Sequence, residues 1–452
     1  MVSYVNKKVL VLGAGISGKG VAKVLASLGA KVVLNDKAEI NLEESKVQEL
    51  LAMGIVVVGG SQESELLEGV DRVVLSPGIP PHIPIIAEAK KRSIPVVGEV
   101  EIAYELSKAP ILGVTGTNGK TTTTMLLGAV IKEANIPCEI GGNIGDALSE
   151  AAIQTDPKGY LVAELSSYQL ETVDQLRTKG AILLNLSPDH LARHKTMEAY
   201  GKAKTSIFRR QEASDFTVIN SDDERIHAMA AETHGKVLFF SIRRAVRDGA
   251  FSDKHTLYAV KDGEAVAVVN KNELHLRGEH NVQNALAVIA LTYALGISIE
   301  TIGAAIRKFE PVEHRMEPVR TFDGVTYIND SKATNSDSVF SALASYDEPI
   351  VLMLGGYDKG EDMTPLMKLV SKRIKHVVFM GAAAERFKEA GIEAGVASYS
   401  MASSMKEAID KARKAATTGD LVLLSPATSS FDWYHSFEER GEDFKKLVLE
   451  LV

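Results

Sequence analysis

Cysteine is almost missing from this chain. Cys138 is the only one among 452 residues, so no disulfide can form within it, which fits a reducing compartment. Long apolar runs are missing too. No stretch approaches the roughly 18 residues that a membrane span needs, so no membrane insertion is expected. The first residues, Met1 to Lys8, lead into a short apolar run broken by glycines and Lys19, with no small-residue cleavage site; they read as a strand and turn, not a signal peptide. A basic excess is also lacking. Lys and Arg number 51 against 59 Asp and Glu, a net charge of −8, which argues against a general nucleic-acid binder. Internal repeats and low-complexity tracts are not evident. Taken together, these absences make a cytoplasmic protein the default.

What is present is ordinary globular composition, 45% hydrophobic and 24% charged. At about 150 residues per domain the length suggests roughly three domains. Short apolar runs (9–12, 32–34, 55–58, 72–75, 96–97) alternate with helical patterns, which implies a parallel sheet. A second block begins near Ile111, with further strands at 161–163 and 181–184. The segment 236–276 is short-stranded and turn-rich, with Asp262-Gly263 as a hairpin signal, and reads as a β insertion. A helix at 280–295 follows. The third block has strands at 325–328, 350–354, 376–380 and 421–424. The expected fold is α/β with three domains in series: residues 1–98, Rossmann-like; 99–311, P-loop ATPase-like with the β insertion; and 312–452, Rossmann-like.

The most informative segment is Gly116-Thr117-Asn118-Gly119-Lys120-Thr121-Thr122, between a strand and a helix. Glycines let several backbone N–H groups converge on one anion; Lys120 adds positive charge for β/γ phosphates and Thr121 offers a hydroxyl to Mg²⁺. The glycine spacing departs from the general phosphate loop, since Val114 stands where the first glycine belongs. The competing reading is a glycine turn with an exposed lysine. Glu164 ends a hydrophobic strand, at a place that commonly faces the metal in such proteins. His190 lies in the loop after the next strand, where a histidine is either a ligand or simply solvated.

A second glycine pattern, Gly13-x-Gly15-x-x-Gly18, follows the first strand, and Asp36 ends the next one. It fits a pyrophosphate at a helix N-terminus, whether of a dinucleotide or of a UDP-sugar. A glycine turn and a plain turn aspartate remain the structural alternatives.

Seven segments, in order and covering nearly the whole chain, resemble the Mur ligases, which add amino acids to the peptidoglycan precursor. They are residues 116–121, Glu164-Leu165-Ser166-Ser167-Tyr168-Gln169-Leu170, Gly278-Glu279-His280-Asn281-Val282-Gln283-Asn284, Glu313-His314-Arg315-Met316-Glu317, Asn329-Asp330-Ser331-Lys332-Ala333-Thr334-Asn335, Leu354-Gly355-Gly356 with Lys359, and Leu424-Ser425-Pro426-Ala427 leading to Ser430, Asp432 and Phe437. The N-terminal glycine loop, the Ser76-Pro77-Gly78 turn and the set Lys359, Ser430 and Phe437 point to the member that adds D-glutamate to UDP-N-acetylmuramoyl-L-alanine.

The resemblance implies that ATP phosphorylates the substrate carboxylate and that the amine of D-glutamate attacks the acyl phosphate through a tetrahedral intermediate. It implies a catalytic set of Lys120, His190, Lys204 and Arg315. Gly116 to Thr122, Asn281, Asn284, Arg315, Asp330 and Lys332 should contact ATP. Thr121 and Glu164 should hold one Mg²⁺, with His190 and Lys204 (as a carbamate) at a second. Gly15, Ile16, Ser17, Asp36, Lys37, Gly78, Asn143 and His190 should line the UDP-substrate site, and Thr334, Lys359, Ser430 and Phe437 the D-glutamate site. Residues 312–452 should close on the centre, and the protein should be a monomer. Each assignment has a plainer alternative: Asn284 bridging inside a core, Phe437 as core, Asp330-Ser331 as a helix cap, Lys204 as an exposed helix lysine, or Lys202 in its place. Rival functions are a folylpolyglutamate synthase-like ligase, a nicotinamide-dependent oxidoreductase and a non-catalytic nucleotide switch.

Overall fold

The structure is a computed structural model that describes residues 3–358 and 360–452. Three sheets organise it, and inner strands such as Ile111–Thr115 and Ile350–Gly355 are buried along their whole length because helices cover both faces.

The first sheet contains β1 (Lys8–Leu12), β2 (Lys31–Asn35), β3 (Val56–Val58), β4 (Arg72–Leu75) and β5 (Val96–Gly98), ordered β3-β2-β1-β4-β5 and parallel throughout. Val9 and Val11 enter one core, while Leu10 and Leu12 enter the other on the opposite face. The strand order reverses beside β1, so its carboxyl end and that of β4 form a crevice.

The second sheet contains β6 (Ile111–Thr115), β7 (Cys138–Gly142), β8 (Tyr160–Glu164), β9 (Gly180–Leu183), β10 (Phe216–Asn220), β11 (Lys236–Ser241), β12 (Gly249–Ser252), β13 (Thr256–Lys261) and β14 (Glu264–Asn270). Its order is β14-β13-β12-β11-β10-β9-β6-β8-β7. The turn-rich segment expected as a β insertion supplies strands that extend this same sheet. β11 and β12 continue the parallel pairing, and β13 and β14 close it as an antiparallel hairpin. Asp262 and Gly263, at φ 54° and 86°, make its two-residue turn. β6 lies between β8 and β9, with Val114 opposite Glu164 and Thr115 opposite Leu183. This register delivers the loop after β6 to the same edge as Glu164.

The third sheet contains β15 (Glu317–Phe322), β16 (Val325–Asn329), β17 (Ile350–Gly355), β18 (Ile374–Met380), β19 (Tyr399–Ala402) and β20 (Leu421–Leu424), ordered β15-β16-β20-β17-β18-β19; only the β15–β16 pair is antiparallel. Leu352 and Leu354 pack into one core, and Val351 and Met353 into the other.

By contact density the chain forms two compact units. One comprises Met1–Leu274 and Gln283–Phe309, and the other His275–Val282 and Glu310–Val452. The first two sheets share a unit, and the helix Glu99–Leu106 joins them. The buried Glu99 carboxylate accepts the Ser149 N–H at 2.6 Å, at the N-terminus of the helix Leu148–Gln154. Glu101 accepts the N–H groups of Asp174 and Gln175 at 2.6 and 2.8 Å.

Candidate active site

The loop after β6 turns at Gly116 (φ 154°) and Gly119 (φ 82°), and Gly119 caps the helix Lys120–Glu133. Gly119 also has no room for a side chain. A Cβ there would sit 2.4 Å from Oδ1 of Asn284, so this buried asparagine lies against the loop and is not a bridge deep in a core. The loop is braced from the next strand. Asn185 accepts the Asn118 N–H at 2.8 Å and donates to the Asn118 carbonyl at 3.0 Å. Thr117 Oγ1 is 3.2 Å from the Tyr200 hydroxyl and accepts the Ser187 N–H at 3.1 Å. Thr121 and Thr122 are buried in the helix's first turn.

Two lysine side chains converge on this loop. Lys120 Nζ donates to the Gly116 and Thr117 carbonyls at 3.0 and 2.6 Å, and Lys204 Nζ donates to the Gly116 carbonyl at 2.7 Å. Lys204 is 1% exposed, which overturns the exposed-helix alternative, while the rival Lys202 is exposed. Burial pushes the Lys204 amine well below the usual lysine range, and neighbouring Lys120 adds to the shift. Its Nζ also lies 4.6 Å from the centre of the Tyr200 ring.

Glu164 ends β8 and is 1% exposed. One carboxylate oxygen accepts from Asn143 at 2.8 Å; the other is buried without a hydrogen-bond partner. A buried unpartnered carboxylate oxygen costs free energy unless a cation or donor meets it. Together with Thr121 and the glycine cradle, this donor set suits a hard divalent cation beside a polyphosphate. Asn143, expected with the UDP substrate, thus also orients the Glu164 carboxylate. His190 stands at φ 55°, with Nδ1 hydrogen-bonded to the Tyr168 hydroxyl at 3.1 Å and Nε2 3.5 Å from Asp189. It is thus held by neighbours, not merely solvated.

Around the first sheet, Gly13 (φ 97°) begins the loop and Gly15 caps the helix Ile16–Ser27. Gly18 packs so closely that a Cβ would lie 1.8 Å from the Gly13 carbonyl oxygen. Asp36 is more than a turn residue: its carboxylate accepts the Ala14 N–H at 2.8 Å and the Ala38 N–H at 3.0 Å. Ser76 donates to the Gly13 carbonyl at 2.9 Å and so draws the Ser76-Pro77-Gly78 turn to the loop. Ile16, Lys37 and Gly78 are exposed at this crevice, with Ile16 at 70%, and Ser17 lies in the first helical turn.

In the second unit, Asn281 and Arg315 line one cavity of about 180 Å³ with Arg277 and Tyr346. Asp330 follows β16 and is buried. It accepts the Ser425 hydroxyl at 2.8 Å and the Met316 N–H at 3.2 Å. Burial pushes its carboxyl up to about 6 despite the nearby Arg315 guanidinium. Asp330 caps no helix; Asn335 caps the next one, accepting the Ser338 N–H at 2.9 Å. Lys332 Nζ lies 4.9 Å from the Phe437 ring centre, and His314 meets that ring edge-on at 6.2 Å. Phe437 is half-buried and begins its helix, so it is not a plain core residue. Ser430 is buried and Thr334 half-buried on neighbouring loops. Lys359 lies outside the described residues.

Several structural roles escaped the sequence. Arg440 is buried and donates to the Ser331 hydroxyl (2.9 Å) and carbonyl (2.7 Å) and to the Ser429 and Thr428 carbonyls (3.2 and 3.1 Å), tying the Asp330–Lys332 loop to the Ser430 loop. A charged helix, Glu438-Glu439-Arg440, hides it in the sequence. Tyr200 and Asn185 brace the phosphate loop, and only their proximity to quoted motifs hints at this.

A glycine phosphate loop faced by a buried lysine and a carboxylate with an open oxygen, within three α/β domains, defines a nucleotide-using enzyme class. The chain belongs to the Mur ligase family: residues 7–98 match the MurD-like N-terminal domain, 114–292 the Mur ligase middle domain and 314–428 the Mur ligase glutamate ligase domain. It is 42% identical, over 99% of its length and 98% of the relative's, to the UDP-N-acetylmuramoylalanine–D-glutamate ligase of Pelotomaculum thermopropionicum. To the protein of that name from Desulfitobacterium hafniense (strain Y51) it is 44% identical, covering 98% of this chain and 97% of the other. Its fold is shared with UDP-N-acetylmuramate–alanine ligase MurC from Thermotoga maritima (TM-score 0.63, 20% identity, 98% and 99% covered) and with MurF from Acinetobacter baumannii (TM-score 0.64, 17% identity, 98% and 91% covered). Among the described residues, no helix is long and apolar enough to cross a membrane.

Proposed function

We propose that this chain is an ATP-dependent amide ligase that joins D-glutamate to UDP-N-acetylmuramoyl-L-alanine in peptidoglycan precursor synthesis. Full-length likeness to relatives bearing that activity's name supports the reading. The single observation that carries its chemistry is the convergence of Lys120, Lys204 and the open oxygen of Glu164 around one phosphate loop.

A carboxylate is a poor electrophile, and phosphoryl transfer from ATP gives it a leaving group. The loop N–H groups and Lys120 hold the β/γ phosphates and bring the γ-phosphate to the UDP-linked carboxylate. Bound Mg²⁺ supplies charge neutralisation on the phosphates; Thr121 and Glu164 would hold one ion, and His190 and Lys204 a second. Lys204 suits its part because burial and neighbouring Lys120 favour its neutral amine: that amine would add CO₂, lose one proton and become an anionic oxygen ligand. Asn281, Asn284, Arg315, Asp330 and Lys332 bind ATP or its transferring phosphate. The amine of D-glutamate, held by Thr334, Lys359, Ser430 and Phe437, attacks the acyl phosphate, and phosphate leaves from the tetrahedral intermediate. Gly15, Ile16, Ser17, Asp36, Lys37, Gly78, Asn143 and His190 bind the UDP substrate. Domain limits after residues 98 and 311, a cytoplasmic location and a monomeric state complete the reading.

Phosphate release with ATP, Mg²⁺, D-glutamate and UDP-N-acetylmuramoyl-L-alanine tests it. Release is expected only when both of the last two are present. Equal release without D-glutamate, or with L-lysine in its place, overturns it.

A further inference from the structure

Three segments of the first unit meet at one side chain outside the set assigned above. Arg193 lies in the short helix Leu191–His194 that follows His190. Its Nε and one terminal nitrogen donate to a single Glu171 carboxylate oxygen at 3.1 and 2.8 Å. The same terminal nitrogen reaches across to the first domain and donates to the Ile79 carbonyl at 3.3 Å. The guanidinium also covers the Tyr168 ring, 4.9 Å from its centre. Both ends of the Arg193–Glu171 pair are mostly shielded from water, at 13% and 18% side-chain exposure. A shielded, hydrogen-bonded ion pair holds geometry better than an exposed one.

Each partner leads to a functional segment. Ile79 ends the turn Ser76-Pro77-Gly78, and its side chain lies against Gly13, where an added Cβ would be 3.0 Å away. Glu171 caps the C-terminus of the helix Ser167–Leu170, which begins three residues after Glu164. The other Glu171 oxygen is 3.1 Å from His194 Nδ1, and His194 Nε2 is hydrogen-bonded to Ser167 at 2.9 Å. Tyr168, under the guanidinium, is the residue hydrogen-bonded to His190.

We propose that Arg193 is a positioning residue that registers the nucleotide-sugar crevice of the first sheet against the turn carrying Glu164 and the loop carrying His190. It touches no reacting atom. It fixes where a carboxylate tethered to the first domain arrives relative to the phosphate loop, and small misplacements of that kind lower rates steeply. The proposal rests on the ligase reading.

The test compares Arg193→Met, Arg193→Lys, Glu171→Gln and the Arg193→Met/Glu171→Gln double variant in the full chain. For Arg193→Met, kcat/KM for UDP-N-acetylmuramoyl-L-alanine should fall about thirtyfold. The dissociation constants of UDP and ATP should stay within about twofold, because the Arg193 side chain touches none of the residues assigned to either. Arg193→Lys should regain part of the loss, since one ammonium makes one of the two contacts. The double variant should be no worse than Arg193→Met alone, because both changes cut one clasp. An unchanged kcat/KM, a parallel loss of UDP and ATP affinity, or fully additive losses would each overturn the proposal. Amide exchange separates its failure from that of the ligase reading. Whatever the wild type turns over, Arg193→Met should speed exchange in residues 76–83 and leave 116–121 unchanged. Unaltered exchange in 76–83 sinks the clasp by itself.

Discussion

Two glycine loops in this molecule use the same backbone device and differ in what surrounds them. Both follow the first strand of a sheet, paired there with parallel neighbours, and open a helix, with Gly13 at φ 97° in one and Gly119 at φ 82° in the other. The loop at Gly13 meets Ser76, exposed Ile16 and Asp36, whose carboxylate accepts the Ala14 N–H; the lysine placed at its crevice, Lys37, is exposed. Nearby Lys19 is engaged by Glu44 at 2.6 Å. The loop at Gly116 gathers two amines and a buried carboxylate with an open oxygen. Backbone N–H groups suffice to hold a pyrophosphate. Moving a phosphoryl group also needs mobile charge that tracks the transition state. The first loop is thus built to hold, the second to hold and react.

The largest test of that contrast is Lys120→Met. It should lower kcat by about a thousandfold or more and leave UDP-substrate affinity unchanged in a binding titration. A variant retaining a tenth of the wild-type rate would erase the distinction between the loops. Next is Lys204→Met, which keeps the chain's bulk and removes the amine. A loss of about a hundredfold in kcat is expected, with the far-UV spectrum unchanged. If it is as active as the wild type, the buried amine only fills space beside Tyr200.

The phosphate loop was legible in the sequence because its chemistry is local: six contiguous residues, Gly116 to Thr121, carry the glycines, the lysine and the hydroxyl. The strands at 9–12, 111–114 and 350–354 were legible for a related reason, since burial on both faces leaves an unbroken apolar run. β7, with Cys138-Glu139-Ile140-Gly141-Gly142, and β15, with Pro318 and Arg320, escaped because edge positions tolerate glycine, proline and charge. β10 and β19 were passed over as well. The 236–276 segment was read as strands and a hairpin, but the sheet it joins was not legible, because nothing in one strand's sequence names its partner. The same limit hid Arg193 and Arg440. Each acts through carbonyls and carboxylates distant in sequence, and an arginine on a short or charged helix looks like surface until those partners are placed.

The first loop has its own test. Asp36→Asn keeps the shape and removes the charge. A KM for the UDP substrate raised by about tenfold, with kcat nearly unchanged, is expected if Asp36 serves binding alone. A fall in kcat with constant KM would place the first loop in the chemical step and break the comparison.

The smallest effect concerns the joint that keeps the two loops on one body. Glu99 is buried, with one carboxylate oxygen on the Ser149 N–H and the other without a partner. Burial pushes its carboxyl up to about 7, well above the ordinary glutamate range. The folded state therefore favours the protonated form. Its stabilising contribution is fully present below about pH 4.5 and is lost as the pH rises through about 7. Glutamine keeps the acceptor for Ser149 and cannot ionise. Glu99→Gln should thus match the wild type in denaturant midpoint near pH 4.5 and gain on it steadily to a plateau above pH 7, worth about 2–3 kcal/mol. Turnover at pH 7 should change by less than about twofold, because the joint sets the loops' common frame and neither loop's charge. A gain that is the same at every pH would mean the carboxylate is ionised throughout and held by its hydrogen bond, and the joint would then be a fixed strut with no proton linkage.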